Sequence, residues 1–458
     1  MKNGATFPWP TAQLGDLLIR LANGTTATQS KEPPGIPVSR IETISNATIN
    51  YEKVHYVRDL EEKKKELFLV QQGDILFSHI NSDLHLGKSA LATGSAELLH
   101  GMNLLLMRPS KDLDSKFLNY FLTQLRFSGF FISIAQHAVN QSSLNQQKLK
   151  AIEVPLPPLP EQRRIVARIE ELFSRLDAGV AALRQAKAQL QRYRQSVLAA
   201  AVTGQLTQAW REEHPDTEPA EELLERILNQ RRKQWNGRGK YKEPVAPTAD
   251  QVLPERWVSA TSDQLVHFVT SGSRGWAEYY SEEGAIFLRI GNLEHEDIAL
   301  DLADIQRVMP PEGAEGSRTR VQTNDILISI TADVGMVALV DTDIGEAYIN
   351  QHVALARPSD EVNPRFLAWL LASKPTKAQW KLLQRGATKV GLGLEDIRAV
   401  RLGLPPLAEQ HQIVAEVEAR TTAIDHLEAE LDRQITRSNR LRQSTLASAF
   451  AGNLIPNA

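Results

Sequence analysis

Two long stretches of the chain carry apolar residues at helical spacing. In the first, they follow one another mostly in steps of three and four: Ile165, Ile169, Leu172, Leu176, Val180, Leu183, Leu190, Tyr193 and Val197. The second repeats the pattern without glycine or proline at Ile413, Val417, Ile424, Leu431, Ile435, Leu441 and Leu446. This spacing predicts two amphipathic helices of about 40 residues, each near 60 Å long at roughly 1.5 Å per residue.

A long helix with a narrow apolar stripe needs a partner to cover that stripe. The second long helix of the same chain is available as this partner. We therefore predict that the two helices pair antiparallel as a coiled coil, with one globular domain at each end. An alternative, in which each helix packs separately on its own domain, stays open from the pattern alone.

The chain contains an internal repeat. The run LPPLPEQRRIVA (156–167) recurs as LPPLAEQHQIVA (404–415), so that Glu161 and Glu409 lie 248 residues apart. The same offset, without a gap, carries Asp177 onto Asp425. The prolines of these runs favour extended backbone and mark a hinge before each long helix. Two copies of one unit, conserving a scaffold but differing in their globular parts, predict one shape that presents two different surfaces.

The globular parts have the pattern of mixed α/β domains. Short aliphatic or β-branched runs predict strands at 74–78, 104–107, 286–290 and 325–330, and short helices near 117–125 and 366–372. We predict an α+β fold with an internal pseudo-two-fold repeat. The predicted segments are a first globular domain (1–154), a hinge and central long helix (155–215), a short helix and linker (216–252), a second globular domain (253–402), and a hinge and C-terminal long helix (403–458).

Composition indicates an ordinary globular protein. Of its 458 residues, 42% are hydrophobic and 23% are charged. Cysteine is absent, which excludes disulfides and cysteine-ligated metal sites and suits a reducing compartment. No apolar run approaches the roughly 18 residues that a membrane span needs. We therefore expect a cytoplasmic protein with no membrane partner.

The net charge argues against a stand-alone DNA-binding protein, and the motifs argue against a self-sufficient enzyme. The net charge of −3 argues mildly against a stand-alone DNA-binding protein, because phosphate neutralisation supplies most non-specific affinity. The run GKS (87–89) ends like a phosphate-binding loop, but Ser82 stands where that loop needs its first glycine. His79 and His85 lack the spacing of metal ligands. We predict no catalytic residue and no metal site in this chain.

The loops between the predicted strands carry polar and basic side chains. Such groups can donate hydrogen bonds to phosphates and to base edges, although most single residues of this kind have ordinary surface roles. The DNA-binding candidates are Thr26, Lys31, Arg40, His79, Asn81, Gln141 and Ser142 in the first domain, with Ser273, Arg274, Trp276, Arg289, Asn292, Gln351, Arg385, Thr388 and Lys389 in the second.

The doubled junction carries a family resemblance. Each PPLxEQxxIV run is preceded by a GDIL or NDIL strand and followed by a long helix, and LTQAWR (206–211) follows the first helix. In these features nearly the whole chain resembles the specificity (S) subunits of type I restriction-modification systems. The resemblance implies that 1–154 and 253–402 are target recognition domains, which read a split site on double-stranded DNA. The long helices would then space them.

The resemblance also implies partners and cofactors. It places the chain as a non-catalytic subunit that docks two methyltransferase (M) subunits, to which restriction/translocase (R) subunits add. S-adenosylmethionine, ATP and Mg²⁺ then belong to those partners, and this chain holds no cofactor. The first domain departs from the family by opening with FPWP (7–10) rather than a run such as LPERW (253–257). The alternatives are a coiled-coil scaffold that binds proteins and a self-contained methyltransferase.

Overall fold

The computed structural model describes residues 7–44, 48–58, 60–94, 96–138, 141–235, 240–248, 252–272, 274–295, 297–310, 314–383 and 391–455. The chain forms two compact units. The first holds Met1–Gln185 and Leu431–Ala458, and the second holds Ala186–Glu430. Segments of both long helices therefore belong to each unit.

The first unit begins with short strands and helices. Its strands are β1 (Thr11–Gln13), β2 (Leu18–Asn23), β3 (Ile36–Ser39), β4 (Val54–Val57), β5 (Ile75–Phe77), β6 (Ile80–Asn81), β7 (Ser89–Leu91), β8 (Leu105–Pro109), β9 (Gln136–Ala138), β10 (Gln141–Ser143) and β11 (Glu153–Pro155). Its helices are α1 (Glu62–Phe68), α2 (Ser115–Phe127), α3 (Phe130–Ile134), α4 (Gln146–Lys150) and the first part of α5 (Leu159–Val202), with 3-10 turns at Leu14–Leu17 and Ile41–Ile44.

An antiparallel sheet in the order β2-β8-β5-β7 forms the centre of the first unit. All three residues of β5 are buried, because its aliphatic and aromatic side chains face packed layers on both sides. The apolar stripe of α2 is also buried, and the Phe450 ring lies 5.2 Å from those of Phe117 and Phe121. Fully burying such a side chain contributes about 1.5–3 kcal/mol. A second sheet, β6-β10-β9, lies beyond the end of β5.

The second unit repeats the central four-stranded sheet and contains a second sheet of four strands. Its strands are β12 (Val258–Thr261), β13 (Val266–Ser271), β14 (Tyr280–Ser281), β15 (Ala285–Leu288), β16 (Gln306–Val308), β17 (Ile326–Ser329), β18 (Val337–Leu339), β19 (Ala347–Ile349), β20 (Val353–Pro358) and β21 (Arg401–Leu404). Its helices are α6 (Gln208–Glu213), α7 (Ala220–Lys233), α8 (Ser262–Leu265), α9 (Ala314–Thr319), α10 (Pro364–Ala372), α11 (Lys374–Leu383), α12 (Leu394–Arg398) and the first part of α13 (Leu407–Phe450), with 3-10 turns at Trp276–Tyr279 and Ile290–Asn292.

The sheet β13-β20-β17-β18 has the same strand order as β2-β8-β5-β7, and β17 is buried along its whole length, as β5 is. The sheet β14-β16-β15-β19 contains a parallel pair, β15 with β19. The mixed helix-and-sheet architecture and the repeated plan confirm the predicted fold class.

The long helices run antiparallel where they meet in each unit. In the first unit Ile165 of α5 shares a core with Phe450 of α13, and further along α5 the Asp177 carboxylate pairs with Arg442. In the second unit Val197 shares a core with Ile413, and the Arg194 guanidinium pairs with Asp425. The predicted pairing is confirmed, and both helices also pack on the sheet-bearing part of each unit.

Each long helix has a well-defined start and stop. Pro160, which we expected to lie before α5, is instead in its first turn, where a missing N–H breaks no helical hydrogen bond. Gly204 and Gly452 follow the two helix ends with φ of 72° and 76°. A Cβ at Gly452 would stand 2.5 Å from Cγ of Pro8, so only glycine allows the N-terminal segment to pack there.

Candidate nucleic-acid interface

Two side chains in the first turn of α5 hold the proline-rich junction of the first unit. Gln162 is fully buried; its Oε1 accepts from the Asp114 N–H at 2.8 Å, and its Nε2 donates to the Pro157 carbonyl at 2.9 Å. Asp114 also caps α2, so Gln162 ties the start of α2 to the start of α5. Glu161 accepts a hydrogen bond from Nε1 of Trp9 at 3.1 Å.

The junction of the second unit has a stronger version of this clamp. The Glu409 side chain is fully buried and accepts from the Thr207 hydroxyl at 2.6 Å, from Nε1 of Trp257 at 2.9 Å and from Nη2 of Arg211 at 2.7 Å. The Arg211 guanidinium also lies 5.8 Å from the centre of the Trp257 ring. Charge-assisted hydrogen bonds of this kind stabilise a buried carboxylate.

The glutamine and the tryptophan of the two clamps correspond in the repeat. Buried Gln410 accepts from the Asn363 N–H at 2.9 Å and donates to the Pro405 carbonyl at 3.1 Å, as Gln162 does in the first unit. Trp9 and Trp257 lie 248 residues apart, the offset of the repeat. The FPWP run therefore supplies the same indole as the LPERW run despite its different sequence.

A buried ion pair fixes the central strands of each unit. Asp74, just before β5, accepts two hydrogen bonds from Arg108 at 2.7 and 2.8 Å, and Asp325, just before β17, accepts two from Arg357, both at 2.7 Å. The Asp74 hydrogen bond raises the pKa of Arg108. Burial raises the pKa of Asp325, against the opposing effect of Arg357. Bidentate pairs impose orientation, so each holds two neighbouring strands in register.

Strands β9 and β10 form an antiparallel ribbon at the edge of the first unit. Ser142 faces His137 across the ribbon, and β10 pairs with β6 through Ser142 and Asn81. All side chains of β9 are exposed, as is Gln141 of β10. The major groove of B-DNA admits a two-stranded β-ribbon, so this ribbon (136–138 and 141–143) has a suitable shape for base contacts.

A polar cluster joins the ribbon to the rest of the first unit. The buried Ser142 hydroxyl donates to the Asp83 carboxylate and lies 2.8 Å from Nδ1 of His137. Nδ2 of Asn81 donates to the Ser78 hydroxyl at 3.4 Å. The serine stands between the carboxylate and the imidazole, whereas a hydrolytic triad needs the imidazole in the middle. The cluster therefore orients the ribbon and has no nucleophile-activating geometry.

His79 lies below this cluster in the interior. Its ring is 7% exposed, and its backbone carbonyl accepts a hydrogen bond from the Leu144 N–H at 2.8 Å. Burial lowers the pKa of His79 to about 4. The imidazole is therefore neutral near pH 7, and its position is that of an interior residue.

Acidification is expected to destabilise the first unit through His79. Because its folded pKa of about 4 lies below the ordinary value of 6.5, the unfolded state takes up the proton first as the pH falls. The contribution of neutral His79 to the free energy of unfolding is complete above pH 6.5 and is lost as the pH falls towards 4. At pH 5 the loss amounts to about 2 kcal/mol. Urea unfolding of wild type and His79→Gln at pH 7 and pH 5 measures it. An equal pH dependence in both proteins would contradict the assignment to His79.

The other first-domain candidates lie in the chain between β2 and the turn after β3. Thr26 and Lys31 are exposed. Arg40 is half-buried, and its Nη1 donates to Oε1 of Gln29 at 3.0 Å. None of the described hydrogen bonds joins these residues to the ribbon, so the structure does not gather all candidates of this domain into one cluster.

In the second unit, Gln351 belongs to a polar cluster at the corresponding place. Its Nε2 lies 3.0 Å from Nε2 of His352, whose Nδ1 is 2.6 Å from the Thr331 hydroxyl. Thr331 forms an antiparallel bridge with Gly391. Gly391 lies 248 residues after Ser143, so this bridge matches the pairing of β10 with β6.

The remaining described candidates of the second domain differ in exposure. Arg274 is exposed and Arg289 is half-buried. Buried Asn292 accepts from the Arg289 N–H at 2.9 Å. Buried Trp276 stacks on Phe287 with ring centres 5.6 Å apart. Asn292 and Trp276 thus have interior partners, and Arg289 is paired with Asp304 at 3.6 Å. Exposed Arg274 is therefore better placed to meet a ligand.

Four candidates lie outside the described residues: Ser273, Arg385, Thr388 and Lys389. At the repeat offset of 248, Arg385 aligns with His137 and Lys389 with Gln141. Gln136 and His137 were not among the predicted candidates, because their strand is polar and lacks the apolar alternation that predicts strands. The repeat itself held the signal, since Gln136 aligns with Gln384 in a polar run that precedes the Leu144 and Leu392 positions.

Comparison with known proteins decides the family. A family model described as type I restriction modification DNA specificity domain matches residues 8–189 and 314–437, which is more than half of the chain. The chain belongs to this family. The doubled junction and the paired helices described above are thus features of a type I specificity protein.

Individual relatives agree with this membership. The specificity protein is 30% identical over 420 residues to the putative type I restriction enzyme MjaX specificity subunit of Methanocaldococcus jannaschii, covering 90% of this chain and 86% of that protein. Its fold is similar to a chain solved in work on complex assembly and conformational transition of the type I R-M system, with a TM-score of 0.66, 17% identity and coverage of 98% and 100%. The HsdS subunit from Thermoanaerobacter tengcongensis gives a TM-score of 0.50 at 19% identity, covering 98% and 99%.

The described part of this specificity protein contains neither a cluster of metal-ligating side chains nor a candidate membrane span. Within it, no group of three or more His, Cys, Asp or Glu side chains is arranged to hold a metal ion. No described helix combines the length and the apolar character that crossing a membrane requires.

Proposed function

We propose that this specificity protein reads a bipartite site on double-stranded DNA, with one target recognition domain (1–154 and 253–402) on each half-site. The ribbon Gln136–Ala138 and Gln141–Ser143 enters the major groove of one half-site. The aligned residues 384–391, with Gln351 and Arg274, serve the other. The paired helices set the distance between the half-sites, and the bases between them are not contacted.

One observation carries this proposal. Both units repeat the glutamine clamp, the buried Asp–Arg pair and the order of the central sheet, while the side chains at the ribbon position differ. The two copies therefore share the residues that hold the scaffold and differ in the residues that can meet base edges. In the sequence repeat, His137 and Gln141 of one copy align with Arg385 and Lys389 of the other. Different donors and acceptors select different bases in the major groove.

We further propose that the chain acts without catalysis of its own, as part of a larger enzyme. Two methyltransferase subunits dock on the helical region, and restriction/translocase subunits join them. S-adenosylmethionine, ATP and Mg²⁺ bind to those subunits. The net charge of −3 supports this division, because the partners would then supply much of the phosphate contact that a solitary DNA-binding protein provides itself.

The test replaces one domain at a time in the complete methyltransferase complex. Exchanging residues 1–154 for those of another family member is expected to change one half of the methylated sequence and to leave the other half unchanged. Exchanging 253–402 is expected to change the other half. Sequencing of methylated positions in the host genome measures both results. A change in both halves, or in neither, overturns the proposal.

A finer test addresses the ribbon. His137→Ala with Gln141→Ala is expected to weaken binding to the cognate duplex about 10- to 100-fold, and to leave binding to a duplex with the first half-site scrambled unchanged. Lys63→Ala with Lys64→Ala on α1 is the matched control in the same unit. Equal loss on both duplexes would show that the ribbon contacts phosphates only, and the base-reading role would be rejected.

A further inference from the structure

A basic groove lies in the second unit, beside the segment that links α5 to the second globular domain. One wall is α7, which is anchored in the core of the unit by buried Leu223 and Ile227. The other wall is formed by residues 240–245, and His267 and Arg357 line the floor. The groove encloses about 830 Å³, enough for several side chains of a ligand.

The groove is positively charged. Its described lining contains more basic than acidic side chains: Arg231, Lys240, Lys242, Arg357 and Arg398 against Glu243, Asp263 and Glu395. Arg231 and Arg398 are engaged with Asp263, and Arg357 with Asp325. Lys240 and Lys242 are exposed and form no ion pair within the described part of the chain. These two ammonium groups are therefore available to a ligand with negative charge.

The groove also has an aromatic edge. The Trp235 side chain is 47% exposed, and its ring centre lies 5.9 Å from that of Tyr241. The Tyr241 hydroxyl is buried and has no hydrogen-bond partner among the described residues. Tryptophan and tyrosine at the rim of a pocket are typical anchors for an apolar side chain of a protein ligand.

The position of the groove favours a protein over DNA. In the antiparallel pair β13 and β20, Val266 lies opposite Pro358, and Ser271 lies opposite Ala354. His267 and Arg357 place the groove at the Val266 end, whereas Arg274 follows β13 and Gln351 precedes β20 at the Ser271 end. A strand of this length spans about 17–20 Å. The groove and the candidates for base contact therefore lie at opposite ends of these two strands.

We propose that this groove binds an acidic segment of a partner protein. Its carboxylates pair with Lys240 and Lys242, and an apolar side chain packs against Trp235. If the partner is a subunit of the same complex, this rests on the proposed function. The groove then adds a docking point outside the paired helices.

The test uses the full chain and a fluorescein-labelled peptide, Glu-Asp-Glu-Leu-Phe-Glu-Asp-Glu, followed by fluorescence anisotropy. Wild type is expected to bind it, and Lys240→Glu with Lys242→Glu is expected to weaken binding at least about tenfold. Lys240→Arg with Lys242→Arg is expected to retain binding. The matched control is Lys63→Glu with Lys64→Glu, which reverses two exposed lysines in the first unit.

Several outcomes overturn the proposal: no binding by wild type, equal weakening by the control, or weakened binding to non-cognate duplex DNA with unchanged peptide binding. The last result would make the groove a nucleic-acid site. Failure of the proposed function has a separate signature, since the ribbon variant would then bind cognate and scrambled duplexes like wild type while peptide binding stayed intact.

Discussion

Replacing Glu409 by glutamine is expected to lower the free energy of unfolding of the second unit by about 3–5 kcal/mol. The buried carboxylate accepts hydrogen bonds from Thr207, Arg211 and Trp257. Glutamine keeps one oxygen but turns an NH₂ group towards these donors. It also leaves Arg211, which is 15% exposed, without its counter-charge.

Glu161→Gln is the matched control, because it changes the same position of the repeat in the first unit. Glu161 is half-buried and accepts one described side-chain hydrogen bond, from Trp9. Because glutamine keeps an oxygen that can accept this single bond, the substitution is expected to cost less than about 1 kcal/mol. Hydrogen–deuterium exchange in urea, followed by mass spectrometry, reports on the two units separately. Equal destabilisation by the two variants would mean that the Glu409 clamp is no stronger than its counterpart.

Removing the arginine of a buried ion pair is expected to have an effect of similar size. Arg108→Ala leaves the Asp74 carboxylate, which is 1% exposed, without its partner, at a cost of about 3–5 kcal/mol to the first unit. Arg357→Ala is expected to do the same to the second unit, where Asp325 is fully buried. Because the uncompensated charge causes the loss, Arg108→Ala with Asp74→Ala should be less destabilised than Arg108→Ala alone.

The same exchange measurement distinguishes the two arginine variants. Arg108→Ala should accelerate exchange in peptides covering β5 and β8, and Arg357→Ala in those covering β17 and β20. Loss of protection in both units from either substitution would show that the ion pair does not act locally.

Much of the scaffold could be predicted from the sequence because it depends on local regularities. Apolar residues in steps of three and four require a helix to gather them on one face, and they located α5 and α13. Buried aliphatic runs located β5 and β17. The repeat then indicated that both copies form the same helices and strands.

The candidate site was less predictable for a physical reason. Polar side chains have no periodic signature, and their roles depend on which distant segment they meet. Trp276 and Asn292 resembled surface ligands in sequence but have interior partners. No sequence pattern predicted a strand at Gln136 and His137, yet they form an exposed strand, because β10 supplies their hydrogen bonds.

The sequence by itself determined the duplication, the two long helices and the family, since these follow from periodicity and from a motif that recurs at one offset. The antiparallel pairing of the helices was predicted from the sequence but decided by contacts in the structure. Only the tertiary structure decided why the motif residues are needed. Gln162 and Gln410 are buried clamps, and Glu409 is the acceptor for three donors from separate segments. Such roles arise from contacts between residues far apart in the chain, and no local pattern encodes them.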